Sequence, residues 1–170
     1  MAMLIIWSVI ELKAEECDDE WWKQMKAQTV CFEDYKWGQT FVDTKNQLKN
    51  KNKNFVPLKG EGLAYFDKIF GESCNVTLIF TPKSKLLAAI TVSWDATSVG
   101  SGLKTLLTKK YGSPSQLNQF MEKYSWFKFD STLILDYSFT KTDLFYYGGE
   151  CWKKHEQETA EITEKEIDGF

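Results

Sequence analysis

The sequence predicts an α+β protein in which two tandem α-βββ units form one antiparallel sheet, with helices on one face and a further helix at the C-terminus. Residues 61–95 have the pattern of three consecutive strands, and a shorter version of the pattern returns at 122–148. A helical pattern precedes each copy. Tandem units that pair edge to edge form one larger sheet and cover two edges that would otherwise be exposed.

Length and composition fit a single folded domain. The chain has 170 residues, of which 43% are hydrophobic and 15% aromatic, enough for a packed core. Its net charge of −3 argues against a nucleic-acid partner, because such partners are usually met by a basic surface. We therefore predict one domain over residues 18–150, built of pseudo-repeats at about 37–95 and 99–148.

The first unit begins at Thr40, a residue type that caps helix N-termini, and its helix is predicted over 41–50. Phe41 and Leu48 fall on the inner side of that helix at a spacing typical of a helix. Three segments rich in β-branched and aromatic residues follow, separated by turn residues. They are residues 63–70, 75–81 and 86–95.

The second unit begins with a helix over 99–112, where Gly112 suits a left-handed C-cap and Pro114 prevents continuation. Its strands are predicted at 124–130, 132–140 and 143–147. Alternation is expected to place Phe127, Phe129, Leu133, Leu135, Tyr137 and Phe139 on the core side. The outward side would then carry Tyr124, Trp126 and Lys128 beside Asp136. Residues 150–170 are predicted to form a highly charged C-terminal helix.

The N-terminus indicates export. Residues 1–10 form an apolar run too short to span a bilayer, so no membrane span is predicted there. We interpret residues 1–17 as the remnant of an export signal, which favours a periplasmic or secreted protein, with a cytoplasmic protein as the alternative.

The four cysteines are even in number and lack the C-x-x-C spacing of many zinc and redox sites. Among the three possible pairings, Cys17 with Cys31 and Cys74 with Cys151 is favoured, because the second bridge would tie the strands to the last helix. Four reduced thiols in a cytosolic protein are the alternative.

Catalytic and cofactor motifs are weak. The chain has a single histidine, His155, and no nucleophile elbow, so we expect no nucleophilic triad. Cys151 and His155 share a helix face, but no further ligand has a matching spacing, and no metal, cofactor or small-molecule ligand is predicted. Asp95 and Asp136 fall on the same sheet face and provide the one enzymatic alternative, a small hydrolase with a carboxylate pair.

Outward aromatic side chains are the stronger functional signal. Exposed tryptophan and tyrosine side chains commonly anchor protein interfaces. We predict a partner-binding surface formed by Tyr124, Trp126, Lys128, Asp136 and Tyr146. In the alternative, the C-terminal helix covers these aromatic side chains through Trp152.

Several motifs resemble a known group. Residues 37–40 lead into a helix, and residues 80–86 are predicted to form a hairpin. Residues 107–114 contain the predicted end of the second helix, and Trp126 and the segment 132–134 follow. Over residues 37–148 the order of elements resembles the β-lactamase-inhibitor-protein-like fold and the related SmpA/OmlA-type envelope lipoproteins. The resemblance implies exported proteins that bind other proteins through the sheet face and adjoining loops.

The sequence therefore predicts a non-catalytic, exported module that binds or inhibits another protein through its sheet face. A carboxylate-pair hydrolase and a structural envelope protein without a ligand are the alternatives.

Overall fold

The computed structural model describes residues 32–59, 62–118, 122–128, 130–138 and 140–167. Within these residues the chain forms three helices and eight strands. In chain order they are α1 (Phe41–Asn50), β1 (Phe55–Leu58), β2 (Gly62–Ile69), β3 (Glu72–Phe80), β4 (Leu87–Trp94), α2 (Ser98–Tyr111), β5 (Ser115–Asn118), β6 (Glu122–Lys128), β7 (Ser131–Tyr137), β8 (Thr142–Gly148) and α3 (Gly149–Ile167). The α+β class and the C-terminal helix are confirmed.

All eight strands belong to one antiparallel sheet with the order β1-β2-β3-β4-β8-β7-β6-β5. Each half of the chain is thus an antiparallel meander. The two meanders join at the middle of the sheet, where their last strands, β4 and β8, pair. That the two halves are copies of one unit stays a prediction.

Each meander has four strands, one more than predicted. The additional strands, β1 and β5, are four residues long and lie at the two edges of the sheet. Pro57 in β1 lacks a backbone N–H, and β5 is largely polar, so neither segment carries an ordinary strand signal. Short edge strands of this kind limit unwanted pairing with other chains.

The helix ends follow local chemistry. The Thr40 hydroxyl accepts a hydrogen bond from the backbone N–H of Asp43 at 3.1 Å, which begins α1 at the predicted residue. After α2, Gly112 has φ of +87° and its N–H donates to the carbonyl oxygen of Thr108. Glycine adopts this left-handed conformation without a side-chain clash, so α2 ends there.

The core lies between the sheet and the first two helices, on what we call the inner face. Leu48 from α1 and Leu103 from α2 are buried against it, and the ring of Phe41 contacts that of Phe80 at 5.1 Å. Alternate residues of the central strands supply the sheet side of the core, which includes Val76, Leu78, Ile90, Val92, Trp94, Leu133, Leu135 and Leu144.

The helix α3 lies against the opposite face, which we call the outer face. Its Trp152 ring meets the ring of Tyr147 at 4.8 Å, and Ile162 lies beside Ile79 in a groove of about 500 Å³. Among the described residues, no helix combines the length and the apolar character that crossing a bilayer requires.

The predicted bridge between Cys74 and Cys151 is wrong, since both thiols are free. Cys74 lies in β3 next to the residue that pairs with Ser93, whereas Cys151 follows Tyr147, which pairs with Ala89. Along β4 these two positions are four residues apart, about 13 Å. A disulfide needs Cα atoms within roughly 7 Å. The other predicted pair, Cys17 and Cys31, lies outside the described residues, as does the predicted export signal.

Candidate protein-binding surface

The five residues predicted to bind a partner do not share a surface. Trp126 and Tyr124 point to the inner face, where only 2% and 6% of their surface is exposed. The indole N–H of Trp126 donates to the carbonyl oxygen of Gly112 at 2.9 Å, so this side chain joins β6 to the end of α2. The prediction that Tyr124 and Trp126 face outward is therefore wrong.

The error has one cause, the length of the turn between β6 and β7. The prediction ended one strand at residue 130 and began the next at 132. In the structure Lys128 pairs with Ser131, which leaves two residues between them, so Trp126 stands opposite Leu133. A register change by an odd number of residues moves every side chain of a strand to the other face.

The remaining three predicted residues are divided between the two faces. Tyr146 is only 8% exposed on the inner face, where it stands opposite Ile90 and Leu133. Lys128 is half-buried on the same face, with its ammonium group 6.0 Å from the ring centre of Tyr111. Asp136 alone lies on the outer face, so the predicted surface does not form.

A different set of side chains is presented on the outer face. Phe127, which the sequence placed in the core, is 66% exposed and stands opposite Thr132. On the next strands Ile134 stands opposite Phe145, and both are half-buried. We call Phe127, Thr132, Ile134 and Phe145 the outer strip.

A row of paired charges borders the outer strip on one side. Asp136 stands directly opposite Asp143 on the neighbouring strand. Lys123 approaches Asp136 at 3.1 Å and Lys141 approaches Asp143 at 3.0 Å, while the Ser93 hydroxyl donates to Asp143 at 2.5 Å. Each carboxylate thus has its own cation, which offsets the repulsion between like charges on adjacent strands.

On its other side the outer strip meets the start of α3. The rings of Phe145 and Tyr147 are parallel at 6.2 Å, Trp152 meets Tyr147 edge-on, and the rings of Trp152 and His155 stack at 4.7 Å from each other. A cavity of about 750 Å³ opens at this corner, between the end of β6 and the first turn of α3. It is lined by Phe127, Lys128, Asp130, Ser131, Thr132, Gly149, Glu150 and Lys153.

The alternative carboxylate pair of Asp95 and Asp136 does not form. β8 lies between the strands that carry them, and the neighbour of Asp136 is Asp143. Asp95 is exposed beyond the end of β4, where it borders a separate pocket of about 310 Å³. The two carboxylates therefore do not face a common substrate position.

The thiol of Cys74 is not set up for nucleophilic chemistry. Burial, with a smaller contribution from the Asp67 carboxylate, raises the pKa of this thiol to about 11. The reactive form of a cysteine is the thiolate, which is scarce at neutral pH for such a group. In the part of the chain that the structure describes, no three His, Cys, Asp or Glu side chains are grouped to hold a metal ion.

The geometry defines an α+β protein with one helix-covered core face and a partly open outer face. Comparison with protein-family models, with curated proteins and with solved structures found no significant match. The resemblance to β-lactamase-inhibitor-like and SmpA/OmlA-type proteins stays a prediction.

Sequence reasoning missed the outer strip, although one signal for it was available. Hairpins joined by two-residue turns are the commonest kind, and such a turn at 129–130 would have placed Phe127 outward. The apolar residues of β6 could not show which of its faces is buried, because aromatic residues occur on both faces of this strand.

Proposed function

We propose that this chain is a non-catalytic protein-binding module and that the outer strip is its contact surface. The observation that carries the proposal is the 66% exposure of Phe127 near the end of β6, on a sheet whose other face already holds the core. Phe127 adds nothing to that core, whereas burial against a partner would remove a large aromatic surface from water.

The surroundings of the outer strip favour a protein as the partner. Interfaces between proteins typically combine an apolar centre with a polar rim. Here Ile134 and Phe145 extend the apolar centre beside Phe127, and the ion pairs of Asp136 and Asp143 supply the rim. Rim charges of this kind act mainly on the rate and the specificity of association.

The proposed export of this protein rests on the sequence alone. The resemblance to β-lactamase-inhibitor-like and SmpA/OmlA-type proteins implies an exported protein and leaves open whether binding also inhibits the partner. An enzymatic role based on Asp95 and Asp136 loses its support, because these side chains lie apart. We therefore propose no substrate, cofactor or small-molecule ligand.

The proposal predicts that Phe127→Ser weakens partner binding at least tenfold, equivalent to about 1.4 kcal/mol. The substitution removes the largest exposed apolar group of the outer strip and leaves the core untouched. Proteins captured from lysate of the source cells by wild-type and variant baits are compared by quantitative mass spectrometry. Each candidate partner is then purified and titrated calorimetrically against both baits.

Phe66→Ser is the matched control. Phe66 is 82% exposed on the same face but lies three strands from β8, so it should leave the affinity unchanged. Equal loss of binding in both variants, or none in either, would exclude the outer strip as the contact surface.

A further inference from the structure

The strand β3 contains a short modification motif. Asn75, Val76 and Thr77 follow the pattern Asn-x-Thr, and the central residue is not proline. This is the acceptor pattern for N-linked glycosylation of secreted chains. Asn75 is the only asparagine of the sequence with a serine or threonine two positions later. A pattern of three residues also arises by chance, so the surroundings of Asn75 decide whether a glycan fits there.

Asn75 is open to solvent on the outer face. Side chains two residues apart in a strand point to the same side, so Asn75 and Thr77 share the outer face while Val76 lies in the core. Asn75 is exposed, and among the described residues its side-chain amide has no hydrogen-bond partner. It borders the pocket of about 310 Å³ that also contains Asp95. A glycan on the amide nitrogen would therefore displace no packed group.

An exposed aromatic ring stands directly opposite this asparagine. Phe66 on β2 pairs with Asn75 and lines the same pocket. Directly opposed residues of antiparallel strands have Cβ atoms about 5 Å apart. Phe66 is 82% exposed, more than any other large apolar side chain in the described part of the chain. The C–H face of a sugar ring can pack on an aromatic ring and cover its apolar surface. The first sugar on Asn75 would thus have Phe66 beside it.

Polar groups surround the ring of Phe66. The remaining lining of the pocket includes Ser73, Ser93, Asp95 and Lys141. Their hydroxyl, carboxylate and ammonium groups are the donors and acceptors that sugar hydroxyl groups can meet. Ligand sites commonly combine an apolar surface with a few placed polar groups. The strand that carries Asn75 is separated from β8 by β4, so a glycan here would stand beside the outer strip.

We propose that Asn75 is an acceptor for N-linked glycosylation and that the first N-acetylhexosamine packs on the ring of Phe66. In the transfer, the amide nitrogen of Asn75 forms a bond to C1 of the sugar and loses one proton. The bond from C1 to the phosphate oxygen of a polyprenyl-diphosphate-linked oligosaccharide breaks, and the diphosphate leaves with the electron pair. The inference rests on the proposed export, because the chain meets this donor in a secretory compartment, and it favours a secreted protein over a periplasmic one.

Secretion of the full chain from cultured eukaryotic cells tests the acceptor site. A supplied cleavable signal makes this test independent of the N-terminus of the chain. The wild type should gain one glycan that peptide-N-glycosidase removes, and mass spectrometry should locate it at Asn75. Thr77→Val should abolish the modification, because it removes the hydroxyl and keeps the shape, whereas Thr77→Ser should retain it. Asn54→Gln is the control, since this exposed asparagine is followed by Phe55 and Val56.

The contact with Phe66 is tested by melting temperatures. The glycosylated wild type should melt about 2–4 °C above Asn75→Gln, the shift that a contact of ordinary strength gives in a protein of this size. In a Phe66→Ser background this difference should disappear. Phe127→Ser, at an exposed phenylalanine of the same face outside the pocket, is the control and should preserve the difference.

Two outcomes would overturn the proposal. One is a secreted wild-type chain that carries no glycan or carries one that persists in Thr77→Val. The other is an equal stabilisation by the glycan with and without Phe66, which would exclude the packing contact. Secretion from the chain's own N-terminus is measured in parallel. A chain that is retained in the cell by this route, yet glycosylated behind the supplied signal, would contradict the proposed export and support the acceptor site.

Discussion

Replacing Trp126 by alanine is expected to lower the free energy of unfolding by about 3–5 kcal/mol, the range found for large aromatic residues removed from cores. The side chain is 2% exposed and packs on the inner face opposite Leu133. Its N–H also satisfies the carbonyl oxygen of Gly112, which the substitution would leave without this donor. Urea denaturation followed by circular dichroism measures the change.

The adjacent residue provides the control. Phe127→Ala should cost less than about 1 kcal/mol, because a side chain that is 66% exposed loses little burial. The pair distinguishes the two possible registers of β6, since the opposite register would make Phe127 the costly position. Equal costs at both positions would contradict the observed division of this strand between core and solvent.

The second large effect is expected at Glu158, which holds α3 to the turn between β3 and β4. This glutamate is only 7% exposed, and its carboxylate accepts hydrogen bonds from the backbone N–H groups of Lys83 at 2.5 Å and Ser84 at 3.0 Å, and from the Ser84 hydroxyl. Hydrogen bonds to a charged group contribute roughly 1.5–3 kcal/mol. Glu158→Ala should therefore destabilise the protein by about that amount at neutral pH.

The same contact predicts a pH dependence. Burial would raise the pKa of Glu158, but the hydrogen bonds from Ser84 and Lys83, aided by the nearby Lys154, outweigh it and hold the pKa below its ordinary value. A depressed folded-state pKa adds stability above the unfolded pKa, and this stability is lost as the pH falls through the folded value. The wild type should thus lose this contribution in acid, whereas Glu158→Ala lacks it at every pH.

Urea denaturation at several pH values between about 7 and 3 measures the difference between the two proteins. Glu164→Ala, at an exposed position of the same helix, is the control and should follow the wild-type curve. A constant difference between wild type and Glu158→Ala over the whole range would show that the carboxylate charge is not involved.

Local signals predicted much of the fold. The cap at Thr40 and the left-handed Gly112 fix helix ends through contacts within a few residues, and both ends were found as predicted. The long central strands were also recognised, because alternation in segments such as 75–81 is clear. These features depend on short-range chemistry, which the sequence displays directly.

Features that depend on distant contacts were not predictable in the same way. The bridge between Cys74 and Cys151 required a distance across the sheet that no local pattern contains. The edge strands β1 and β5 gain their pairing from a neighbour rather than from their own composition. The face of β6 depended on one turn length, so a single misplaced residue moved Trp126 and Phe127 to the wrong sides.

The turn between β2 and β3 shows the same limitation in another form. The sequence placed Phe70 inside a strand and the turn at residues 71–73, whereas Phe70 and Gly71 are the two turn residues, with φ of +57° and +82°. Phenylalanine is typical of strands and unusual in a type I′ turn, so propensity alone assigns it wrongly.

Photo-crosslinking from the outer strip tests the central claim most directly. Benzoylphenylalanine is placed at position 127 or, as the control, at position 66, both of which are exposed phenylalanines. After irradiation in lysate of the source cells, position 127 should yield a discrete crosslinked protein that competes away with excess unmodified chain, while position 66 should not. The same products from both positions, or none from position 127, would contradict a protein-binding role for this face.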